Sequence, residues 1–151
     1  MESLFFLLFA ALGGGMVYLG YTLYRKSQAS KSWPTTQGSV VSPEVTAHHS
    51  RSKKGHHRTT YGADVQYEYT VDGVKYSSHK ISFGEYRTNN SGQAQATVDH
   101  YPPQAQVVVY YNPDKPEEAV LEPGKTGGIV ILFVVGGMFG LMGILGLMGV
   151  F

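Results

Sequence analysis

The sequence predicts a membrane-anchored α+β chain: two transmembrane helices flanking a small, mainly antiparallel β domain of about five strands, a barrel or sandwich with one short helix. Three observations predict it. Both ends are intensely apolar, while the middle is polar. An Asp72-Gly73 pair separates two runs that alternate apolar and polar residues. The remaining middle is cut into short β-rich runs by Pro, Gly and Asn.

Bulk composition narrows the function classes. The chain has 151 residues and a formal net charge of +1, without the basic excess of a general nucleic-acid binder, so no nucleic acid is expected as a partner. With no cysteine, disulfides, thiolate catalysis and cysteine-based zinc sites are excluded. The organisation expected is 1–26 as a first transmembrane helix, 27–125 as the β domain and 127–151 as a second transmembrane helix. The middle part, roughly 100 residues, is long enough for one core.

Leu4 to Tyr24 is free of charge. Its length is about the 20 residues that a helix needs to cross a bilayer. Tyr18, Tyr21 and Tyr24 gather at its far end, where an amphipathic ring suits the interface, and Arg25 and Lys26 follow. A retained anchor fits better than a cleaved leader, because no positive charge precedes the run and no Ala-x-Ala site follows it. Ala10 with Gly14, and Ala11 with Gly15, have the small-xxx-small spacing that admits a second helix.

Arg25 to Thr36 reads as a polar linker, with Trp33-Pro34 as an elbow. Gly38 to Val45 reads as a strand in which Pro43 marks an edge or bulge. His48 to Arg58 is the one charge run and is expected as an exposed hairpin loop. Its basic residues Arg51, Lys53, Lys54 and Arg58 are candidates for a partner protein or anionic headgroups, at about 1 kcal/mol each near a lipid surface. Against this stands a plain solvated loop. His48, His49, His56 and His57 are weak metal candidates: no carboxylate lies near, and adjacent side chains on a strand point apart. No metal or other cofactor is expected.

Val65, Tyr67, Tyr69 and Val71 alternate with Gln66, Glu68 and Thr70 before Asp72-Gly73; Val74 and Tyr76 follow. This is a hairpin signature, because a tight primed turn needs positive φ at its centre. It pairs Val71 with Val74 and Tyr69 with Tyr76, with Val74 and Tyr76 facing inward. The second strand is expected to reach Phe83, with a bulge or bend between Ser77 and Lys80 where the apolar parity shifts. Ser91 to His100 reads as a short helix capped by Ser91. Gln106 to Tyr111 reads as a strand covered on both faces. Asn112 to Pro116 is a turn, and Ala119 to Leu121 a last short strand.

Gly127 to Phe151 carries no charge and is about long enough to span a bilayer with some tilt. Its glycines, Gly136, Gly140 and Gly143 among them, would be costly in a soluble helix but give flat faces for a neighbour in lipid. The first helix is the obvious neighbour; a second copy or another membrane protein is the alternative. Arg25, Lys26, Lys31 and Lys125 flank the middle domain and place it in the cytoplasm by the positive-inside rule.

Taken together, several stretches resemble a family. These are Trp33 with Thr36, Gly38 and Val40; the hairpin tyrosines around Gly73; and Tyr101-Pro102 followed by Val107 to Pro113, Pro116 and Ala119 to Pro123. They resemble the mostly bacterial membrane proteins grouped as "domain of unknown function 3592". The likeness departs at Pro103-Gln104-Ala105, where a Pro-Gly turn is expected, and in the His-rich insert. It implies a membrane-tethered β domain in a bacterial inner membrane. It supplies no catalytic residues.

No phosphate-binding loop, nucleophile elbow or His-Glu zinc motif is present, and no enzyme is expected. Tyr67, Tyr69, Tyr76, Tyr110 and Tyr111 suit a sheet core better than a base-stacking platform. The function expected is an accessory or interaction protein whose β domain binds a membrane complex or a second copy. The alternative is a lipid-headgroup or metal sensor acting through 48–58.

Overall fold

A computed structural model describes residues 2–51, 57–84 and 87–149. Among them the order is α1 (Glu2–Ser30), β1 (Thr35–Arg51), β2 (His57–Val71), β3 (Val74–Ser78), α2 (Ser91–His100), β4 (Gln106–Asn112), β5 (Lys115–Val120) and α3 (Gly127–Leu147). Apolar helices at the two ends flank one antiparallel sheet of order β3-β2-β1-β4-β5.

Both end helices are long and apolar enough to cross a membrane, by length and composition. They pack on each other along a narrow seam. In α3 the buried residues Ile129, Gly136 and Gly143 recur every seventh position, the repeat that keeps one stripe facing a partner helix. Opposite them, α1 sets Phe6, Ala10, Gly13, Val17 and Gly20. A methyl at Gly13 would lie 2.7 Å from the Gly136 carbonyl, and one at Gly143 would lie 2.8 Å from that of Phe6. Contact this close is open only to glycine.

The seam differs from the four-residue spacing expected at Ala10/Gly14 and Ala11/Gly15. Ala10 faces Gly143, but Ala11, Gly14 and Gly15 are exposed, and a methyl on either glycine would meet nothing. One residue advances a helix by about 100°, so Gly14 lies well round from Gly13. Gly140 contributes through its backbone, against Gly13.

α1 also runs beyond its apolar stretch. Residues 25–30, expected as linker, continue the helix to Ser30. Lys31, Ser32 and Trp33 then donate to Gln28, Ala29 and Ser30, tightening the last turn before Pro34 blocks continuation.

The hairpin forms as the alternation dictates. Asp72 (φ 50°) and Gly73 (φ 79°) form the turn, with Val71 opposite Val74 and Tyr69 opposite Tyr76. The pairing of β1 with β2 slips at Val41, between Val40 and Ser42, beside the proline that signalled it. This bulge switches the inward parity of β1, so Val40 and later Pro43 and Val45 share the face of Tyr67, Val65 and Ala63.

The core gathers Val40, Val65, Tyr67, Tyr69, Val109 and Ala119 with Ile81 and Leu121. The sheet is open, not a closed barrel or a two-sheet sandwich. Its edge strands β3 and β5 approach each other, but tyrosine hydroxyls reach across in place of a backbone ladder. Tyr67 OH sits 2.7 Å from the Lys80 carbonyl and 3.0 Å from that of Ala119. Tyr69 OH donates to Pro116 at 2.6 Å. Burial, then the neighbouring Tyr76 and Glu117, push the Tyr69 phenol up to about 12.

Other expectations shift in detail. β3 stops at Ser78, and the chain bends away within the stretch where a bend is predicted. Val74, on the edge strand β3, is 52% exposed, although its partner Val71 is buried. β4 is covered on one face only, since Val108 is 47% exposed beside fully buried Val109. The last strand is longer, Lys115–Val120. The cap of α2 is Asn90, whose Oδ1 accepts from Gly92 N at 2.9 Å; Ser91 is already the first helical residue.

Candidate functional site

Three segments converge where the helix pair meets the sheet: the last turn of α1, residues 79–84, and residues 121–128. We call this the neck. Ser27 Oγ donates to the Lys125 carbonyl at 3.0 Å, and Gly124 N–H donates to Ser30 Oγ at 3.3 Å. Both serines are fully buried. The Ile81 carbonyl accepts from Leu121 N (3.0 Å) and Glu122 N (2.7 Å), and the Gly84 carbonyl from Gly128 N (3.0 Å). Gly84 must be glycine, because a methyl there would lie 2.6 Å from the Lys125 carbonyl. Trp33 meets Phe83 edge-on at 5.7 Å, so the elbow plugs the base of the β domain.

Two carboxylates complete the neck. Glu118 accepts from Lys26 Nζ at 2.6 Å and from Asn112 at 3.1 Å. Burial raises its carboxyl, but these bonds and the charges of Lys26 and Lys80 outweigh burial and hold it below the ordinary value. Glu122 pairs with Lys125 and accepts from Tyr101 OH at 2.7 Å. Burial raises it as well, and Lys125, Tyr101 and His100 bring the balance below the ordinary value.

Beside the neck lies an open cleft of about 680 Å³ between α2, the β1–β2 strands and residues 79–84. Its charged lining includes Asp64, His79, Arg87, Glu122 and Lys125. Asp64 and His79 approach to 3.3 Å. Among the described residues, the carboxylates that line the cleft, Asp64 and Glu122, each already have a partner.

The far part of β1 and β2 forms a long two-stranded arm. Residues expected in a loop stand on its strands: His48 opposite Thr60, His49 opposite Thr59, and Arg51 opposite His57. Ser50 faces Arg58. His49 Nδ1 lies 3.1 Å from Thr59 Oγ1, and His48, its chain neighbour, projects to the opposite face. Among the described residues no group of three His, Asp or Glu is placed to hold a metal ion. Lys53, Lys54 and His56 lie outside the described residues.

Residues 36–126, the sheet with α2 and part of the neck, match the family described as "Domain of unknown function (DUF3592)". The chain belongs to that family. No curated protein matches it. The match takes in the arm and residues 79–84 and 121–126 of the neck, while the last turn of α1, with Ser27 and Ser30, precedes it. Sequence reasoning missed the neck residues Ser27, Ser30 and Gly84. Their partners lie far along the chain, and nothing local marks them.

Proposed function

We propose that this member of the family is a membrane-anchored accessory module: α1 and α3 form a helical hairpin in the bilayer, and the β domain binds a partner membrane protein. The welded neck carries this reading. A domain on free linkers would sample many orientations, whereas buried serines, a cation–carboxylate pair and a glycine contact hold this one fixed on its helices. The outward faces of both helices support insertion, because Leu4, Leu8, Leu12, Ile131, Val134 and Leu141 are all exposed. The role is binding and not catalysis, and the domain stands on the cytoplasmic side, where Arg25, Lys26, Lys31 and Lys125 would face.

Membranes bearing the chain are washed in alkaline carbonate and then crosslinked. The chain is expected to stay in the pellet and to yield a discrete crosslinked species containing a second protein. Release into the supernatant, or a free monomer with no reproducible crosslink, contradicts the reading.

A further inference from the structure

We infer that the outer edge of β1, at Val45, Ala47 and His49, is a docking edge that accepts an extended acidic segment of a partner protein as an added strand. This rests on the interaction-module reading and names the surface that performs it. The direction of the backbone groups is fixed three times over. In a two-residue hairpin the residues flanking the turn exchange hydrogen bonds, so Val71 and the other odd-numbered residues of β2 aim their groups toward the β3 side. Tyr61 agrees, since its N–H and C=O both bond Thr88 outside the β1–β2 ladder. Pro43, opposite Val65, has no N–H to give and suits a position turned away from β2. Ser42, Glu44, Thr46 and His48 therefore bond β2, while Val45, Ala47 and His49 present N–H and C=O outward.

β4 covers that edge only from Thr35 to Ser39, and Gln104 with Ala105 extends the cover to Val40. Among the described residues nothing pairs with the backbone of Val45, Ala47 or His49. Ala47 and His49 are exposed. Unpaired strand edges are templates for another strand. Charge selects which one. From Glu44 to Thr60 the sequence sets Arg51, Lys53, Lys54 and Arg58 against the single carboxylate Glu44. A second copy would bring the same basic excess and, in this stretch, no carboxylate beyond its own Glu44, whereas an acidic strand complements it and is steered in.

The full-length protein in neutral-lipid nanodiscs is mixed with an eight-residue peptide alternating glutamate and valine, and separately with its lysine–valine counterpart. The acidic peptide is expected to slow amide exchange at Ala47 and His49 roughly tenfold, and the basic one to leave it unchanged. Ala47→Pro and His49→Pro each remove an N–H that the fold does not use. Either is expected to weaken peptide binding roughly tenfold, with the Thr46 and His48 amides still protected. Equal binding of both peptides, binding without slowed exchange at Ala47 and His49, or a dimer of the purified chain locked through Ala47→Cys would overturn the proposal. In native membranes, a crosslinked partner lost in Ala47→Pro supports the edge. A partner retained at full yield removes the edge but leaves the module reading standing. No partner with either protein removes both.

Discussion

The neck and the arm use the same strands to opposite ends. At the neck almost every polar group meets another from a distant part of the chain: Ser27 with Lys125, Gly84 with Gly128, Glu118 with Lys26. Along the arm, pairing is local, strand to adjacent strand, and one edge is left without a partner among the described residues. Buried polar groups are costly unless satisfied, so the neck has one stable arrangement, while a solvated edge costs little and stays available. The contrast teaches that one end of this sheet is held by contacts from distant segments, while the other, held by local pairing, keeps an edge open, as the docking proposal requires.

The sharpest way to break the neck is to enlarge Gly84. Gly84→Leu forces a side chain against the Lys125 carbonyl and is expected to destabilise the β domain by about 3 kcal/mol, read as a lowered unfolding midpoint. A change under about 0.5 kcal/mol would show that the neck yields freely.

Tyr67→Phe is next. Its ring stays buried, but the hydroxyl between the Lys80 and Ala119 carbonyls is lost, so the expected cost is about 1–2 kcal/mol. This tests whether tyrosine hydroxyls fasten the open sheet to the neck segment.

Acid should loosen the neck before the arm. Glu118 and Glu122 both have carboxyls held below the ordinary value of 4.5, so the folded neck binds fewer protons than the unfolded chain. Their stabilisation is complete above that value and is lost as pH falls through their folded values. Unfolding followed downward from neutral pH should steepen below about 4.5, and Glu118→Gln should flatten the response. Exchange rates of arm amides, corrected for intrinsic pH dependence, should show no such step.

Gln104 gives the smallest effect, and a favourable one. It sits in the left-handed region (φ 64°) at the third position of a turn closed by Ala105 N to the Pro102 carbonyl. Gln104→Gly is expected to stabilise the chain by about 1 kcal/mol, measured by denaturant unfolding. The sequence already flagged this spot, where the family resemblance expects Pro-Gly.

That position shows what could be read in advance. Local signals were sound: the Asp72-Gly73 turn, the irregularity near Pro43, the apolar end helices and the family likeness all reappear in the structure. What failed was geometry set at long range. Gly13 and Gly20 form the helix seam instead of Gly14 and Gly15, because the seven-residue repeat in α3 selects their face. The open sheet could not be told from a barrel, because that depends on whether β3 and β5 meet, and side-chain hydroxyls decide it. The His-rich stretch looked like loop because its composition is polar, although register carries pairing out to Arg51 and His57.

The central claim is rigid attachment of the sheet to the helix pair, and the absence of cysteine makes a direct test clean. Spin labels on Leu12→Cys in α1 and Val108→Cys in β4, both at exposed positions, report the distance between helix and sheet in a lipid nanodisc. A single narrow distance distribution, unchanged on dilution with unlabelled protein and broadened by Gly84→Leu, is the predicted result. A broad or multiple distribution in the unaltered neck would contradict the account.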